Sequence, residues 1–361
     1  MSGKIFIRTS QLISIIESYA YPKPLHLHLK EYFQSNKKLG SRDRREIKAW
    51  FYGYFKSEYV EKNLPIDAEL KIVLQSSFDS DLQLLKTDID ELNLTNAESY
   101  YPLKTRISAS ITLTINQLKA EKPVWIRARN SESKTNFATI DKDGEMLAIL
   151  GNQELLLNKN DFQIQDWASC KAAQYCATNL VGENIWDLCA GAGGKTMYIS
   201  DKLPEIFIYA SDKRSSILEN LKSRIKCSKI ETAVIDLTEK HEKLDFETHS
   251  IKKGTLHNII ADVPCSGSGT WGRNPQHLRY FNETHLKTFT QIQNQIIKNA
   301  LPFLAQNGNF FYITCSIYKD ENEALVEEFC KKNKLKLMHS QYFLKSNADC
   351  LYLAHLMKIN S

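Results

Sequence analysis

From about residue 166 onward, short apolar runs alternate with helical patterns, and this alternation limits the possible folds more than any other feature. The runs are "NIWDLC", "IFIYASD", "TAVID", "HNIIADV" and "NFFYITC". They are rich in Ile, Val and aromatics and do not alternate cleanly with polar residues, as expected of strands buried on both faces of a parallel sheet. Between them, "SILENLKSRI" puts Leu218, Leu221 and Ile225 on one helical face. "HLKTFTQIQNQIIKNALPFL" does the same with Leu286, Phe289, Ile292, Ile296 and Ala300. The pattern predicts an open, doubly wound α/β domain over 166–361, with ligands at the carboxyl ends of its strands.

The chain has 361 residues, which leaves room for more than this domain. Residues 1–120 are expected to be mostly helical. In "GSRDRREIKAWFYGYFK", Ser41 can cap a helix on which Ile47, Trp50, Phe51 and Tyr54 recur on one face. Arg42, Arg44, Arg45 and Lys48 then populate the start and the other face, as a solvated surface or an RNA contact. Residues 121–165 change character: "KPVWIRAR" predicts a strand, "IDKDGEML" a turn, and "NQELLLN" a strand or short helix. They form a small α+β module.

Eight cysteines contain no CxxC pair, so no metal site is expected. No secretory signal is evident at the N-terminus, and no run approaches the ~18 apolar residues of a membrane span. The expectation is a cytoplasmic monomer with reduced thiols. A net charge of +5 permits an anionic partner without demanding one.

"DLCAGAGGKT" (187–196) follows the first strand and opens a helix. Gly191, Gly193 and Gly194 allow positive φ and close backbone approach. The spacing is not that of a phosphate-binding GxxxxGK[ST] loop. Asp212 ends the second strand, where a carboxylate can accept both ribose hydroxyls. Asp236 ends the third, within reach of an adenine amino group. A glycine loop beside strand-end aspartates favours a neutral or cationic adenosine ligand over a polyphosphate. S-adenosylmethionine fits, and a nicotinamide cofactor is the other candidate.

Cys265, in "ADVPCSGSGT", and Cys315, in "FFYITCSIYKDENE", end two successive strands that should be neighbours. Methyl transfer to carbon 5 of a pyrimidine needs a thiol, because that carbon has no lone pair. A thiolate added at carbon 6 makes carbon 5 electron-rich. Asp262 is placed near ring nitrogen 3, as an acid or as an ionised acceptor for the amino group. The base must be flipped out or single-stranded. Lys195, Lys213 and Arg273 can meet backbone phosphate or solvent. The remaining cysteines are expected to be inert packing.

At these residues the sequence resembles the RNA 5-methylcytosine methyltransferases of the Sun (Fmu) family, of the type that methylates cytosine in 16S rRNA. The likeness runs through "IQDWAS", "DLCAGAGGKT", "SDKR", "ADVPCSGSGT", "RNPQ" and "TCSIYKDENE" and covers roughly residues 120–361. It implies a Rossmann-like S-adenosylmethionine domain with Cys315 as nucleophile, Cys265 as the thiol aiding product release, and Asp262 against the target cytosine. It places Cys189, Ala190, Gly191, Ala192, Gly193, Gly194, Lys195, Asp212, Lys213, Asp236 and Asp262 around the cofactor. Glu321 and Asn322 match residues that orient the Cys315 loop. Residues 121–165 resemble the family's RNA-recognition-like module, and "RDR…YG" upstream resembles a NusB-like helical domain. Lys195, Arg273, Arg127, Arg44 and Arg45 are the candidate RNA contacts.

The resemblance implies methylation of carbon 5 of a cytosine, most directly in 16S rRNA. Two rivals stand beside it. One is an enzyme acting on tRNA or another rRNA position. The other is a non-catalytic RNA-binding ribosome-assembly protein of the same fold.

Overall fold

Apolar stripes at helical spacing build the N-terminal elements α1 (Gly3–Glu17), α2 (Leu25–Ser35) and α3 (Ser41–Lys56). Ile47, Trp50, Phe51 and Tyr54 are all buried, as the pattern of α3 requires, and they pack with Leu12, Ile15, Leu25 and Leu29. Ser41 does not sit outside the helix as a cap: it is the first helical residue, and the Gly40 carbonyl takes the Arg44 N–H. The computed structural model describes residues 3–56, 102–120, 122–129, 138–149, 158, 160–225 and 227–359. The segment "NQELLLN" lies almost wholly outside them.

The chain packs as two units, one comprising Met1–Lys104 with Trp271–Asn282, the other Thr105–Thr270 with Glu283–Ser361. The second unit begins with a short helix, α4 (Ile115–Lys119), and a four-stranded antiparallel sheet ordered β2-β3-β1-β4. Its strands are β1 (Val124–Ala128), β2 (Thr139–Asp143), β3 (Met146–Ile149) and β4 (Phe162–Ile164). The expected turn in "IDKDGEML" is a two-residue hairpin loop, with Gly144 at φ 59°. That conformation suits glycine at the first loop position.

Next come α5 (Trp167–Thr178), β5 (Asn184–Asp187), α6 (Gly194–Lys202), β6 (Phe207–Asp212), α7 (Ser215–Lys222) and β7 (Ile230–Val234). A small hairpin, β8 (Lys243–Asp245) and β9 (Ser250–Lys252), precedes β10 (Leu256–Asp262). Helix α8 (Gln276–Tyr280) lies in the stretch that belongs to the first unit. The second unit resumes with α9 (Glu283–Ala300), β11 (Leu304–Thr314), α10 (Glu323–Asn333), β12 (Leu335–Phe343) and β13 (Leu351–Lys358).

The large sheet is ordered β12-β13-β11-β10-β5-β6-β7. Strands β5, β6, β7, β10 and β11 are parallel, while β13 is antiparallel to β11 and β12 to β13. Strands β5, β6, β10, β11 and β13 read as largely apolar runs because both faces are covered, whereas the edge strand β12 is mostly exposed. Trp186, Ile259, Phe310 and Tyr312 pack on one side with α9 and α10. Ile185, Ile260, Phe311 and Ile313 pack on the other with α5 and α6. Fully burying one such side chain contributes about 1.5–3 kcal/mol. From β5 the chain winds outward through β6 and β7, then returns to place β10 on the other side of β5. The strand order therefore reverses between β5 and β10, where open α/β sheets bind ligands.

Candidate active site

The carboxyl ends of β5, β6, β10 and β11 surround a cavity of about 570 Å3. The glycine loop forms one wall. Gly191 has φ 56° and Gly193 φ 81°, a backbone that side chains resist. A Cβ at Gly193 would also lie 2.2 Å from Leu221 Cδ1. Asp212 braces this loop: its Oδ2 accepts the Gly191 N–H at 3.1 Å. Arg214 grips the same carboxylate, Nε to Oδ1 at 2.9 Å and Nη2 to Oδ2 at 3.0 Å. Burial pushes the Asp212 carboxyl up, but the guanidinium and the backbone donors outweigh it and hold the group below its usual value.

Beneath the loop, Asp187 ends β5 fully buried. Burial pushes its carboxyl up to about 6. Oδ2 accepts from the Thr196 hydroxyl at 2.6 Å, whereas Oδ1 has no hydrogen-bond partner. An ammonium group on a ligand in this cavity would satisfy that oxygen. Lys195 reaches from the first turn of α6 to Asp262 Oδ2 at 2.5 Å and to Ser169 Oγ at 3.2 Å. Burial depresses the Lys195 ammonium, but Asp262 and Asp187 outweigh it and its pKa is raised. Asp262 is thus an ion-paired carboxylate, partly open to the cavity.

The two thiols meet. Cys265 Sγ and Cys315 Sγ are 3.3 Å apart, both free, and both line the cavity. The hydrogen bond between them, together with burial, raises the pKa of Cys265 well above its ordinary value. Neighbouring strands β10 and β11 hold the two loops, and Glu321 ties the loops together. Its Oε1 accepts the Ser266 N–H at 2.8 Å and Gln293 Nε2 at 2.9 Å, and its Oε2 accepts the Ser316 hydroxyl. Burial raises the Glu321 carboxyl despite these donors. Asn322 accepts from Thr314 Oγ1 at 2.6 Å and donates to Ser316 O at 2.8 Å, so both residues hold the turn that carries Cys315.

Of the residues expected around a cofactor, Cys189, Ala190, Gly191, Ala192, Gly194, Lys195, Asp212, Lys213 and Asp262 line the cavity. Gly193 stands behind them as the cap of α6. Asp236 does not line it. Its side chain folds back in a local turn, accepting Thr238 N–H at 2.9 Å and Thr238 Oγ1 at 2.7 Å. Arg127, expected on an RNA surface, is wholly buried, with Nη2 on Asp201 Oδ2 at 2.6 Å and on Gln163 Oε1 at 2.9 Å. Arg129 shares Asp201, so β1 is pinned to α6. Lys195, expected at phosphate, is buried and engaged by Asp262 instead.

Arg273 falls in the first unit, within Trp271–Asn282. Arg45 is exposed there on α3, while Arg44 lies 5.6 Å over the Phe33 ring. Lys30, Phe33, Gln34, Lys37 and Arg44 outline a second cavity of about 650 Å3 in that unit.

Sequence reasoning missed Ser169, Asp187 and Arg214. Phe289 and Ile292, which the sequence places on one helical face, are half-buried and line the cavity with Val263 and Pro264, and Ile292 also packs against the core of the sheet. The cavity is thus polar along the glycine loop and apolar along α9. It fits an adenosine ligand with a cationic tail, such as the S-adenosylmethionine expected from the sequence. Among the described residues, no cluster of His, Cys, Asp and Glu is arranged to hold a metal ion, and no helix is long and apolar enough to cross a membrane.

Residues 178–352 match the sequence model of the family described as 16S rRNA methyltransferase RsmB/F. The chain is 31% identical over 165 residues to the ribosomal RNA small subunit methyltransferase B of Photorhabdus laumondii, covering 45% of this chain and 37% of that protein. It is 27% identical over 235 residues to the probable ribosomal RNA small subunit methyltransferase B of Synechocystis sp., covering 62% of this chain and 50% of that protein. The matches thus span half or less of these curated relatives. A crystal structure described as PH0851 shares the fold at 18% identity, with a TM-score of 0.67 over 96% of both chains. With the cavity at the switch point of its sheet and with both thiols of the sequence pattern in place, the chain is similar, through residues 178–352, to the family described as 16S rRNA methyltransferase RsmB/F.

Proposed function

We propose that this protein methylates carbon 5 of a cytosine in RNA, with 16S rRNA as the substrate, through a covalent bond between Cys315 Sγ and cytosine carbon 6. The observation that carries this reading is the pair of free thiols 3.3 Å apart at the cavity that also holds the glycine loop. When bound, S-adenosylmethionine supplies a methyl group on a sulfonium, activated for attack by carbon. Asp212 would hold the ribose hydroxyls, Asp187 the amino group, and Phe289 with Ile292 an apolar wall.

The Cys315 thiolate adds to carbon 6, and the electrons of the 5,6 double bond make carbon 5 nucleophilic. Asp262, ion-paired with Lys195, favours the ionised-acceptor role: it takes a hydrogen bond from the cytosine amino group, a donor that uracil lacks. After carbon 5 has taken the methyl group it still carries its proton. A base removes that proton, the double bond re-forms, and the Cys315 thiolate leaves. Cys265, with its Sγ 3.3 Å from Cys315 Sγ, is placed to give its proton to the departing sulfur.

The three-part division at residues 120 and 165 remains part of this proposal. The helical part offers RNA a basic surface: residues 30–48 carry seven Lys and Arg against three Asp and Glu. Arg44 and Arg45 belong to it, with Phe33 available for stacking. Basic grooves with an aromatic platform suit single-stranded RNA.

The direct test is product analysis. Incubation with labelled S-adenosylmethionine and 16S rRNA should give 5-methylcytidine as the labelled nucleoside after digestion. Labelled N4-methylcytidine, or labelling of tRNA alone, would contradict the reaction or the substrate. Asp212→Ala should weaken S-adenosylmethionine binding roughly ten- to hundredfold, the worth of hydrogen bonds to one charged group. It removes both the ribose acceptor and the brace on Gly191. Unchanged affinity by calorimetry would take Asp212 out of the site.

A further inference from the structure

Asp212 closes β6 with every acceptor position of its carboxylate in use. Oδ1 accepts the Arg214 N–H at 3.0 Å and Arg214 Nε at 2.9 Å. Oδ2 accepts the Gly191 N–H at 3.1 Å and Arg214 Nη2 at 3.0 Å. A carboxylate offers about four such positions. Two of the donors are backbone groups, fixed by the strand end and by the glycine loop. The other two belong to one side chain with room to leave: that of Arg214 is 56% exposed, whereas that of Asp212 is 4% exposed.

A ribose presents two neighbouring hydroxyls, and each needs an acceptor. Asp212 can take them only after the Arg214 guanidinium has let go. The two positions it vacates equal the two that the ribose fills.

The departing charge stays beside the cavity, which Lys195, Lys213 and Arg214 all line. Lys195 is buried against Asp262, while Lys213 and Arg214 stand exposed. Cys265 and Cys315 line the same cavity, so a cytosine brought to those thiols carries its flanking phosphates toward the rim where the guanidinium is released. A guanidinium without its carboxylate suits a phosphate, which can take two of its N–H donors at once.

We infer that Arg214 changes partners during binding: the cofactor ribose takes its place on Asp212, and its guanidinium then grips a phosphate of the RNA beside the target cytosine. This rests on the reading of Asp212 as the ribose acceptor. In the free protein the arginine covers that acceptor. Either ligand draws the arginine off, so cofactor and RNA strengthen each other's binding through one side chain.

The test measures affinities of the full chain, with S-adenosylhomocysteine as the probe, because it carries the same ribose and no methyl group to transfer. In wild type it should tighten 16S rRNA binding about five- to tenfold, and the RNA should tighten its binding by the same factor. In its presence, the fall of log RNA affinity with log salt concentration should steepen by about one unit, the mark of one added phosphate contact. Arg214→Ala should lose both effects. The variant should bind S-adenosylhomocysteine alone within about twofold of wild type or up to about fivefold more tightly, since an ion pair at the surface no longer competes. Binding weaker than wild type by more than about twofold would overturn the inference, as would undiminished strengthening of RNA binding in the variant. If Asp212→Ala leaves S-adenosylhomocysteine affinity unchanged, the ribose reading falls, and this inference with it. If both substitutions weaken that affinity, the ribose reading stands and only the inference falls.

Discussion

Cys315→Ala should leave S-adenosylmethionine binding unchanged while methyl transfer drops below detection. The cysteine supplies the only means, in this account, of making carbon 5 of the base nucleophilic. A loss of at least about 10^4-fold is expected, corresponding to ~5.5 kcal/mol of barrier. Cofactor affinity should hold because the groups proposed to hold the ligand, Asp187, Asp212 and the Gly191–Lys195 loop, lie on β5, β6 and the loop into α6 rather than on β11. Removing one thiol from a half-buried position should disturb the fold little, so the loss reads as chemistry. Wild-type rates in this variant would refute the nucleophile assignment.

Cys265→Ala should produce the opposite failure. Addition and methyl transfer still occur, but the thiol that sits 3.3 Å from Cys315 is gone, and departure of the Cys315 sulfur becomes slow. The enzyme should stop after about one turnover, and protein linked to RNA should appear as a slow band on a denaturing gel. Heating in denaturant should not dissolve that band, whereas nuclease should shorten it. Observing it with Cys315→Ala instead would exchange the two roles.

The large sheet was legible because burial on both faces leaves a direct imprint. Each run, such as "HNIIADV", is apolar at odd and even positions alike. The glycine loop was legible through its own backbone needs, since Gly191 and Gly193 adopt the positive φ that their composition permits. The meeting of Cys265 with Cys315 follows from strand adjacency, since β10 and β11 are consecutive neighbours in the sheet.

What stayed hidden depends on partners distant in sequence or on local competition. Arg127 looked like a surface cation because Asp201, which buries it, lies 74 residues away. Phe289 and Ile292 share the apolar face of α9 by period, and period alone does not say that this face also walls a cavity. Asp236 turns back on Thr238, two residues on, in a local side-chain turn that the strand pattern does not signal. Arg214, by contrast, stands two residues from Asp212 and could have been anticipated as its ion partner. That α8 belongs with the N-terminal helices rests on Arg279 and Tyr54, 225 residues apart, and nothing in the local pattern signals it.

The covalent bond at the centre of this account can be observed directly. RNA carrying 5-fluorocytidine at the target position blocks the last step, because fluorine cannot leave as a proton does. After incubation with S-adenosylmethionine, protease and nuclease digestion, mass spectrometry should find the peptide containing Cys315 bearing a methylated fluorocytidine. The same nucleotide attached at Cys265, or methylation of ordinary RNA with no attachment to either thiol, would contradict it.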